Sequence, residues 1–371
     1  MIVNPFNFET PADRWSFTDR QELIPRLAKV MESPRRRMLV HGRRRMGKTS
    51  LIRHVAHLGK RPFIFADLST ATNLTELAQR LVAGVPGPDG GLPKKIVLLL
   101  AKYVQVVSVK GGKFALEGQL RATPPEQTLD SALNFIDDLA GATGECWTIC
   151  LDEFQDIRQL GGERADWRLR GTIQHHQNLS YIFSGSDERL LGWMTEPRAA
   201  FFKQLELLEV GSIDPTLVAG WIDQRARQGG LADPDFGAAV VAAGGPCTGD
   251  IVRLAKVVFD LVATGKRRPD PAGEGMRAVA MGYLQPEFVG SWRLLTVNQR
   301  AMLRAIATDQ RPLAAETLEA FAIKAASSAS KALEALVERQ MLIHDGDRLA
   351  FDNPFFRYWV RANAAPEGAG S

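Results

Sequence analysis

Hydrophobic residues in the first 211 positions form short apolar runs that alternate with segments of helical periodicity. The runs predict strands at residues 38–40, 62–69, 147–153, 181–186 and 205–210. The periodic segments predict helices at residues 48–55, 73–81, 129–139 and 165–176. Because strands and helices alternate, we expect an α/β core over residues 1–211, in which a parallel sheet is sandwiched by helices.

Residues 86–125 interrupt this alternation. They contain a glycine- and proline-rich segment, an apolar run at residues 96–107 that predicts a buried helix, and a hairpin that turns at Gly111 and Gly112. We therefore interpret residues 86–125 as an insertion in the core.

The pattern after the core is mainly helical. Apolar periodicity at residues 217–227, 236–243, 251–262 and 275–289 predicts a helical lid over residues 212–289. Helices predicted at residues 298–307, 315–321 and 327–339 precede two short strands at residues 342–344 and 348–351. Three helices and a hairpin indicate a winged helix over residues 290–362, and the composition of residues 363–371 predicts a disordered tail.

The composition agrees with several soluble domains. The chain has 371 residues, more than the roughly 250 to 300 at which single cores usually split. Its three cysteines, Cys146, Cys150 and Cys247, are too few for a disulfide framework and lack metal-ligand spacing. The first residues lack a basic region followed by an apolar core, so we expect no secretion signal, and the longest apolar run contains Lys102 and is shorter than the ~20 residues of a membrane span. We expect a cytoplasmic protein without membrane contact.

Positive charge is concentrated in one stretch of the chain. Residues 35–61 contain ten Lys/Arg and no Asp/Glu, whereas the whole chain has a net charge of only +4. Two interpretations remain open for this cluster. It is either solvated charge beside a phosphate-binding loop or a surface that contacts nucleic-acid phosphates.

The segment from Gly42 to Thr49 matches the Walker A pattern G-x-x-x-x-G-K-T between a predicted strand and a predicted helix. Glycines let the backbone N–H groups face phosphate oxygens, and the helix N-terminus adds a positive dipole. We expect Lys48 to reach the β- and γ-phosphates of ATP and Thr49 to ligate Mg²⁺. The residues expected to bind nucleotide here are Gly42, Arg43, Arg44, Arg45, Met46, Gly47, Lys48 and Thr49.

A Walker B end is predicted where the apolar strand WTICLDE finishes in two acids. Asp152 would support Mg²⁺ through water, and Glu153 would polarise the attacking water. Adjacent acids can also simply mark an exposed strand end, but the Walker A loop upstream favours the catalytic interpretation.

Further catalytic residues are predicted with structural alternatives left open. Ser184 and Ser186 end the next strand, where Ser186 is the favoured sensor of the γ-phosphate, although serines there can also be turn residues. Arg170 and Arg198 are candidates for an arginine finger, and surface or structural roles are the alternative. His175 and His176 are expected to be structural.

These motifs together resemble the archaeal-type AAA ATPases, which lie with or near the signal-transduction ATPases with numerous domains, the STAND class. The segment from Arg44 to Ser50 is similar to the family's R-R-x-G-K-T-S loop, which adds Ser50 to the expected nucleotide contacts. The D-E-F-Q element looks like residues 152–155, and Gly185 and Ser186 look like the family's glycine-serine sensor.

The resemblance also implies roles outside the Walker motifs. Phe17 and Arg20 correspond to an N-terminal box near the nucleotide, although the family's glycine before that arginine is Asp19 here. Pro246 corresponds to a lid proline that contacts nucleotide, and Arg253 to a second sensor. The C-terminal residues resemble the family's winged helix, closed by a strand with an aspartate-proline-phenylalanine sequence.

Three functions remain in competition on the sequence alone. The leading one is an ATP-driven switch, in which ATP closes the lid, hydrolysis reopens it, and the winged helix contacts a protein or DNA partner. The second is a DNA-bound regulator in which ATP is mainly a structural ligand, and the third is a small-molecule kinase. Residues 290–371, which include the predicted winged helix, hold ten Lys/Arg against nine Asp/Glu, and this near-neutral charge is poor evidence for DNA binding. Monomer, dimer and ring all remain open, because an arginine finger given to a neighbour would require a homo-oligomer.

Overall fold

The computed structural model describes residues 3–7, 20–86, 107–110, 113–116, 125–186, 188–233, 235–264 and 270–363. The chain forms two compact units. One consists of residues 10–212, and the other joins residues 1–9 to residues 213–371. We call them the core unit and the helical unit.

The core unit alternates strands and helices, as the hydrophobic pattern predicts. Its strands are β1 (Arg37–His41), β2 (Phe63–Asp67), β3 (Val107–Lys110), β4 (Lys113–Leu116), β5 (Trp147–Asp152), β6 (Leu179–Gly185) and β7 (Glu206–Glu209). Its helices are α1 (Leu23–Met31), α2 (Lys48–Gly59), α3 (Leu74–Ala83), α4 (Pro125–Thr143), α5 (Ile157–Gly161), α6 (Ala165–Ile173) and α7 (Glu188–Thr195).

Five of these strands form one parallel sheet in the order β2-β5-β6-β1-β7. Every residue of β5 and β6 is buried. Continuous burial of this kind is typical of parallel strands that are covered by helices on both faces. The predicted α/β sandwich is confirmed, and its strands bring the ends of β1, β5 and β6 to one edge.

The hairpin predicted within the insertion is confirmed. Strands β3 and β4 pair antiparallel on either side of Gly111 and Gly112, and β4 lies beside helix α3. The apolar helix predicted at residues 96–107 falls outside the described residues, apart from Val107, which begins β3.

A buried polar network fixes helix α4 against the start of β6. His176 hydrogen-bonds the Tyr181 hydroxyl at 2.7 Å through Nδ1 and Asn134 Oδ1 at 3.0 Å through Nε2. Burial lowers the pKa of His176, and the nearby Asp137 opposes that shift. A neutral, hydrogen-bonded histidine inside the fold has the structural role that the sequence predicts.

The helical unit contains two groups of helices that share one apolar core. The first group is α8 (Pro215–Gln228), α9 (Phe236–Gly244) and α10 (Thr248–Thr264). The second group contains α11 (Gln285–Arg293), α12 (Val297–Ala307), α13 (Ala315–Ala320), α14 (Ala326–Glu338), β8 (Leu342–Asp345), β9 (Arg348–Phe351) and α15 (Pro354–Ala362). None of the described helices is long and apolar enough to cross a membrane.

Residues 3–7 pack in the helical unit, whereas the hydrophobic pattern assigns them to the core. Asn4 donates to the Lys256 carbonyl at 2.9 Å and to Asp260 at 2.7 Å. Phe6 is buried against the rings of Phe236 and Phe259. These contacts span some 250 positions of sequence and therefore leave no local signal.

The single helix predicted at residues 275–289 is wrong. Residues Pro271–Gly275 and Ala278–Tyr283 form π-helical turns, and the α-helix α11 begins only at Gln285. Asp270 caps the first turn by accepting from Ala272 N and Gly273 N. Gly275 packs so closely on α10 that a side chain there would collide with Val258.

The C-terminal strand that the family resemblance implies is also wrong. Residues from Pro354 form helix α15 instead, because the Asn353 side chain accepts from Phe355 N and Phe356 N and Pro354 suits the first helical turn. The helix buries Phe356, whose ring lies 5.1 Å from that of Phe288. The rest of the predicted winged helix, three helices and the hairpin β8–β9, is present.

Candidate functional site

The loop between β1 and α2 folds into a tight turn at the carboxyl edge of the sheet. Three of its residues have positive φ angles: Gly42 (145°), Arg45 (62°) and Gly47 (88°). Glycine adopts such angles without a steric penalty, whereas Arg45 does so under strain. The loop leads directly into the first turn of α2, so its backbone N–H groups and the helix dipole act on the same space.

Gly42 also lies against the end of β7. A Cβ atom on Gly42 would come closer than 3.0 Å to the Val210 carbonyl, and this contact is with rigid backbone. Val210 N in turn donates to the His41 carbonyl at 2.8 Å. The first glycine of the motif is therefore required both by its backbone angle and by its neighbour.

We expect Gly42→Ala to weaken ATP binding about tenfold, since a residue forced into this conformation costs about 1–3 kcal/mol. The measurement is titration with a fluorescent ATP analogue, together with the thermal midpoint. Gly59→Ala is the matched control, because a Cβ there meets nothing within 4 Å and Gly59 lies in helix α2. Alanine at Gly59 should leave both values unchanged or slightly improved. Unchanged affinity in Gly42→Ala would contradict the proposed role of the loop.

Lys48 is buried at the beginning of α2, with 6% of its surface exposed. Its ammonium group donates to the Gly42 carbonyl at 2.8 Å and to the Arg43 carbonyl at 2.9 Å. A buried cation of this kind needs such partners. The side chain therefore lies across the loop, with its charge in the space that the loop encloses.

Thr49 and Asp152 meet directly across the edge of the sheet. Thr49 Oγ1 donates to Asp152 Oδ2 at 2.8 Å, and Ser184 Oγ donates to Asp152 Oδ1. Asp152 is buried at the end of β5. The sequence separates these two residues by 103 positions, yet the sheet joins the two motifs. Ser184, the less favoured of the two predicted serines, is thus the one that binds the Walker B aspartate.

Glu153 follows β5 in a left-handed backbone conformation, with φ 49° and ψ 49°. Its carboxylate oxygen Oε2 accepts hydrogen bonds from Gln155 Nε2 at 2.5 Å and from Ser186 Oγ at 3.2 Å. Arg44 Nε lies 3.4 Å from the same Ser186 hydroxyl. The structure therefore brings Glu153, Ser186 and the Walker A loop together. Gln155 is a member of this group that sequence reasoning gave no role, although it stands in the quoted D-E-F-Q element.

Arg20 contacts the Walker A loop from the N-terminal side. Its Nη2 donates to the Met46 carbonyl at 2.9 Å, and Met46 itself is buried. The partner is a backbone atom, so no side-chain pattern reveals the contact, and only the family resemblance pointed to Arg20. Phe17 lies outside the described residues.

The two candidate arginine fingers lie in different places. Arg170 is near Arg37, the first residue of β1, where burial lowers the pKa of the Arg37 guanidinium and the Arg170 charge lowers it further. Arg37 is about 13 Å along the strand from His41, and the Arg170 guanidinium lies 5.6 Å from the ring centroid of Trp167, which is a neighbour in sequence and not part of the loop. Arg198 is exposed between α7 and β7.

The remaining predicted contacts differ in exposure. Arg43, Arg45 and Ser50 are half-buried within the core unit. Pro246 is exposed just before helix α10 of the helical unit, and Arg253 is half-buried on that helix.

The burial and the charges around the loop shift the pKa of His41, the last residue of β1. Burial lowers the pKa of His41, Glu209 on the neighbouring strand raises it, and Lys48 lowers it again. Within the described ranges, no three His, Cys, Asp or Glu side chains cluster as metal ligands. Thr49 and Asp152 offer a hydroxyl and a carboxylate beside the loop, and such oxygens suit a hard cation that also binds phosphate.

Comparison with solved structures identifies the architecture. The chain is similar to a Walker-type ATPase of Pyrococcus abyssi, with a TM-score of 0.67, 18% identity, and coverage of 96% of this chain and 99% of that one. It has a P-loop ATPase fold. It is also similar to the Aeropyrum pernix ORC2 protein in ADPNP-ADP complexes, with a TM-score of 0.63, 14% identity and coverage of 97% and 96%.

Three further comparisons were made, one with family models, one with another solved structure and one with curated sequences. A family model described as "Probable winged helix domain" matches residues 286–362, so the chain carries a C-terminal winged helix. The Aeropyrum pernix ORC1 protein, solved in complex with DNA, is similar with a TM-score of 0.50, 14% identity and coverage of 94% and 93%. A comparison with curated protein sequences finds no match.

Proposed function

We propose that this chain binds ATP with Mg²⁺, hydrolyses the ATP and works as a molecular switch of the AAA+ and STAND type. The observation that supports this most strongly is the hydrogen bond of 2.8 Å between Thr49 and Asp152, with Glu153 directly beside it. It links the predicted Walker A loop to the predicted Walker B end. A fold shared with ATPases over nearly the whole chain agrees with the proposal.

The donor set fits Mg²⁺. Thr49 offers a hydroxyl and Asp152 a buried carboxylate, and magnesium prefers such oxygen ligands together with substrate phosphates and water. We assign Thr49 as a ligand and Asp152 as a support through water. When bound, Mg²⁺ would neutralise charge that develops on the β- and γ-phosphates.

The side chains around the loop would divide the work of hydrolysis. Lys48 would exchange the carbonyls of Gly42 and Arg43 for phosphate oxygens, which attract its charge more strongly. Glu153 would accept a hydrogen bond from the attacking water and orient it. Ser186, which donates to Glu153, would contact the γ-phosphate or the same water.

The proposal also assigns residues to the adenine side of the nucleotide and to the arginine finger. Arg20 would stabilise the loop through Met46, while Phe17, Ser50 and Pro246 would contact the nucleotide, as the family resemblance implies. Arg198 and Arg170 remain the two fingers to test. Since Arg170 lies away from its own loop, it would act only on a neighbouring copy, which would require a homo-oligomer.

We further propose that residues 212–289 form a lid and that the winged helix reports the nucleotide state to a protein partner in the cytoplasm. The exposed charges of α14 and its C-cap are Lys331 and Arg339 against Glu334 and Glu338, and the β8–β9 hairpin adds Asp345, Asp347 and Arg348. These charges give no positive surface for phosphate contacts, which favours a protein over DNA.

A DNA-bound regulator is the second candidate function. The observation that favours it is a series of exposed basic residues along α2 and at its two ends, Arg44, Arg53, Lys60 and Arg61. A structure of a protein with this fold in complex with DNA agrees with it. It predicts that DNA affinity falls steeply with salt.

The test is phosphate release from ATP by the wild-type chain with Mg²⁺, with and without duplex DNA and at several protein concentrations. We expect turnover without DNA. Stimulation by DNA that disappears at high salt would favour the regulator, and a rate per chain that rises with concentration would indicate catalysis between copies. Limited proteolysis with ATP and with ADP tests the lid, because equal protection of residues 212–289 in both states would argue against the switch. ATP binding without any release would contradict the ATPase.

A further inference from the structure

The Gln155 side chain fills the space between Glu153 and the end of β6. Its Nε2 donates to Glu153 Oε2 at 2.5 Å. Its Oε1 is buried and, among the described residues, receives no hydrogen bond. A carboxylate only accepts hydrogen bonds, so the nitrogen of this amide must face Glu153. The orientation of Gln155 is therefore set by the carboxylate.

Gly185 supplies the room for this amide. A Cβ atom on Gly185 would collide with Gln155 Oε1 and with the Leu190 side chain. The φ angle of Gly185 is not in the left-handed region, so the need for glycine comes from the neighbours rather than from backbone strain. The glycine-serine pair at the end of β6 thus acts on Glu153 twice. Gly185 admits the amide, and Ser186 donates to the same carboxylate oxygen at 3.2 Å.

We propose that Gln155 is a positioning residue for hydrolysis, and this inference rests on the proposed ATPase function. Gln155 and Ser186 both donate to Oε2 of Glu153. The carboxylate is therefore held through that one oxygen, and its Oε1 is left to accept a hydrogen bond from the attacking water. Gln155 would act through Glu153, the carboxylate to which its amide donates. Its contribution lies in holding Glu153, whose left-handed backbone alone does not fix the side chain.

The test compares Gln155→Glu, Gln155→Met and the control Gln159→Glu in the full chain. Gln155→Glu keeps the shape of the side chain but replaces the donor amide by a carboxylate, which repels that of Glu153. Gln155→Met keeps the length of the side chain and removes the hydrogen-bond donor. We expect kcat to fall about 10-fold in Gln155→Met and about 100-fold in Gln155→Glu, with KM and the affinity for a fluorescent ATP analogue unchanged. Gln159→Glu makes the same change at an exposed amide that donates to Asp156 at 3.3 Å, and it should keep wild-type kcat.

Two outcomes of the kinetic comparison would overturn the proposal. Wild-type kcat in Gln155→Glu would show that the amide does not position Glu153. A joint loss of kcat, ATP affinity and thermal midpoint in both Gln155 variants would show a structural role only.

A spectroscopic measurement separates this proposal from the proposed function. The side-chain amide resonances of Gln155 are assigned in ¹⁵N-labelled protein by their loss in Gln155→Glu. We expect them to shift in Glu153→Ala, whether or not the wild type hydrolyses ATP. Absence of turnover in the wild type would contradict the ATPase alone, whereas unshifted resonances in Glu153→Ala would overturn the role of Gln155.

Discussion

Glu153→Gln is expected to lower kcat for ATP hydrolysis by about 10²–10⁴-fold while the affinity for ATP changes less than about threefold. The substitution keeps the size of the side chain and removes its charge, so the residue can no longer take up a proton from water. The Walker A contacts of Lys48 and Thr49 remain in place. Phosphate release and titration with a fluorescent ATP analogue measure the two quantities separately.

The matched control for this prediction is Glu163→Gln. Glu163 is exposed in the turn before α6, so the same loss of one negative charge there should leave kcat and affinity as in the wild type. Full activity of Glu153→Gln would mean that another group activates water, and the assignment of the Walker B end would fail.

The core fold and its central residues are predictable because both depend on local pattern. The alternation of strands and helices gives a parallel sheet, and parallel strands carry their polar C-terminal residues to one edge. A sequence that shows polar residues after β1, β5 and β6 therefore predicts that these residues meet. The hydrogen bonds of Asp152 to Thr49 and Ser184 agree with that expectation.

The features that the sequence did not reveal depend on contacts between distant segments. Phe6 is an ordinary apolar residue until Phe236 and Phe259 enclose it. Gln155 becomes significant only because Gly185 leaves room for its amide.

The predicted element boundaries are wrong at two places, where local packing or helix capping accompanies a backbone path that differs from the one that periodicity or resemblance predicts. Residues 271–283 show helical periodicity, but close packing of Gly275 on α10 accompanies π-helical turns. At Pro354 the resemblance implied a strand, but residues Pro354–Ala362 form a helix whose N-terminus is capped by the Asn353 side chain. In both places a few specific contacts set the backbone path, and a hydrophobic pattern does not contain them.

Lys48→Ala is expected to weaken ATP binding by about 10- to 150-fold, the equivalent of the roughly 1.5–3 kcal/mol that hydrogen bonds to charged groups contribute. In the wild type, the Lys48 side chain is buried and lies across the loop, with its ammonium 2.8 Å from the Gly42 carbonyl oxygen. Alanine removes this charge from the space where the β- and γ-phosphates would bind. Titration with a fluorescent ATP analogue at fixed Mg²⁺ measures the loss.

Lys29→Ala is the control, because Lys29 is an exposed lysine on helix α1 of the same unit. The affinity of this variant for ATP should equal that of the wild type. The two site variants then have opposite signatures: Lys48→Ala loses binding, and Glu153→Gln keeps binding and loses turnover. A phosphate-binding loop beside a water-activating carboxylate requires both signatures. Unchanged affinity in Lys48→Ala would mean that the loop holds its lysine for stability alone, and the nucleotide site would have to be sought elsewhere.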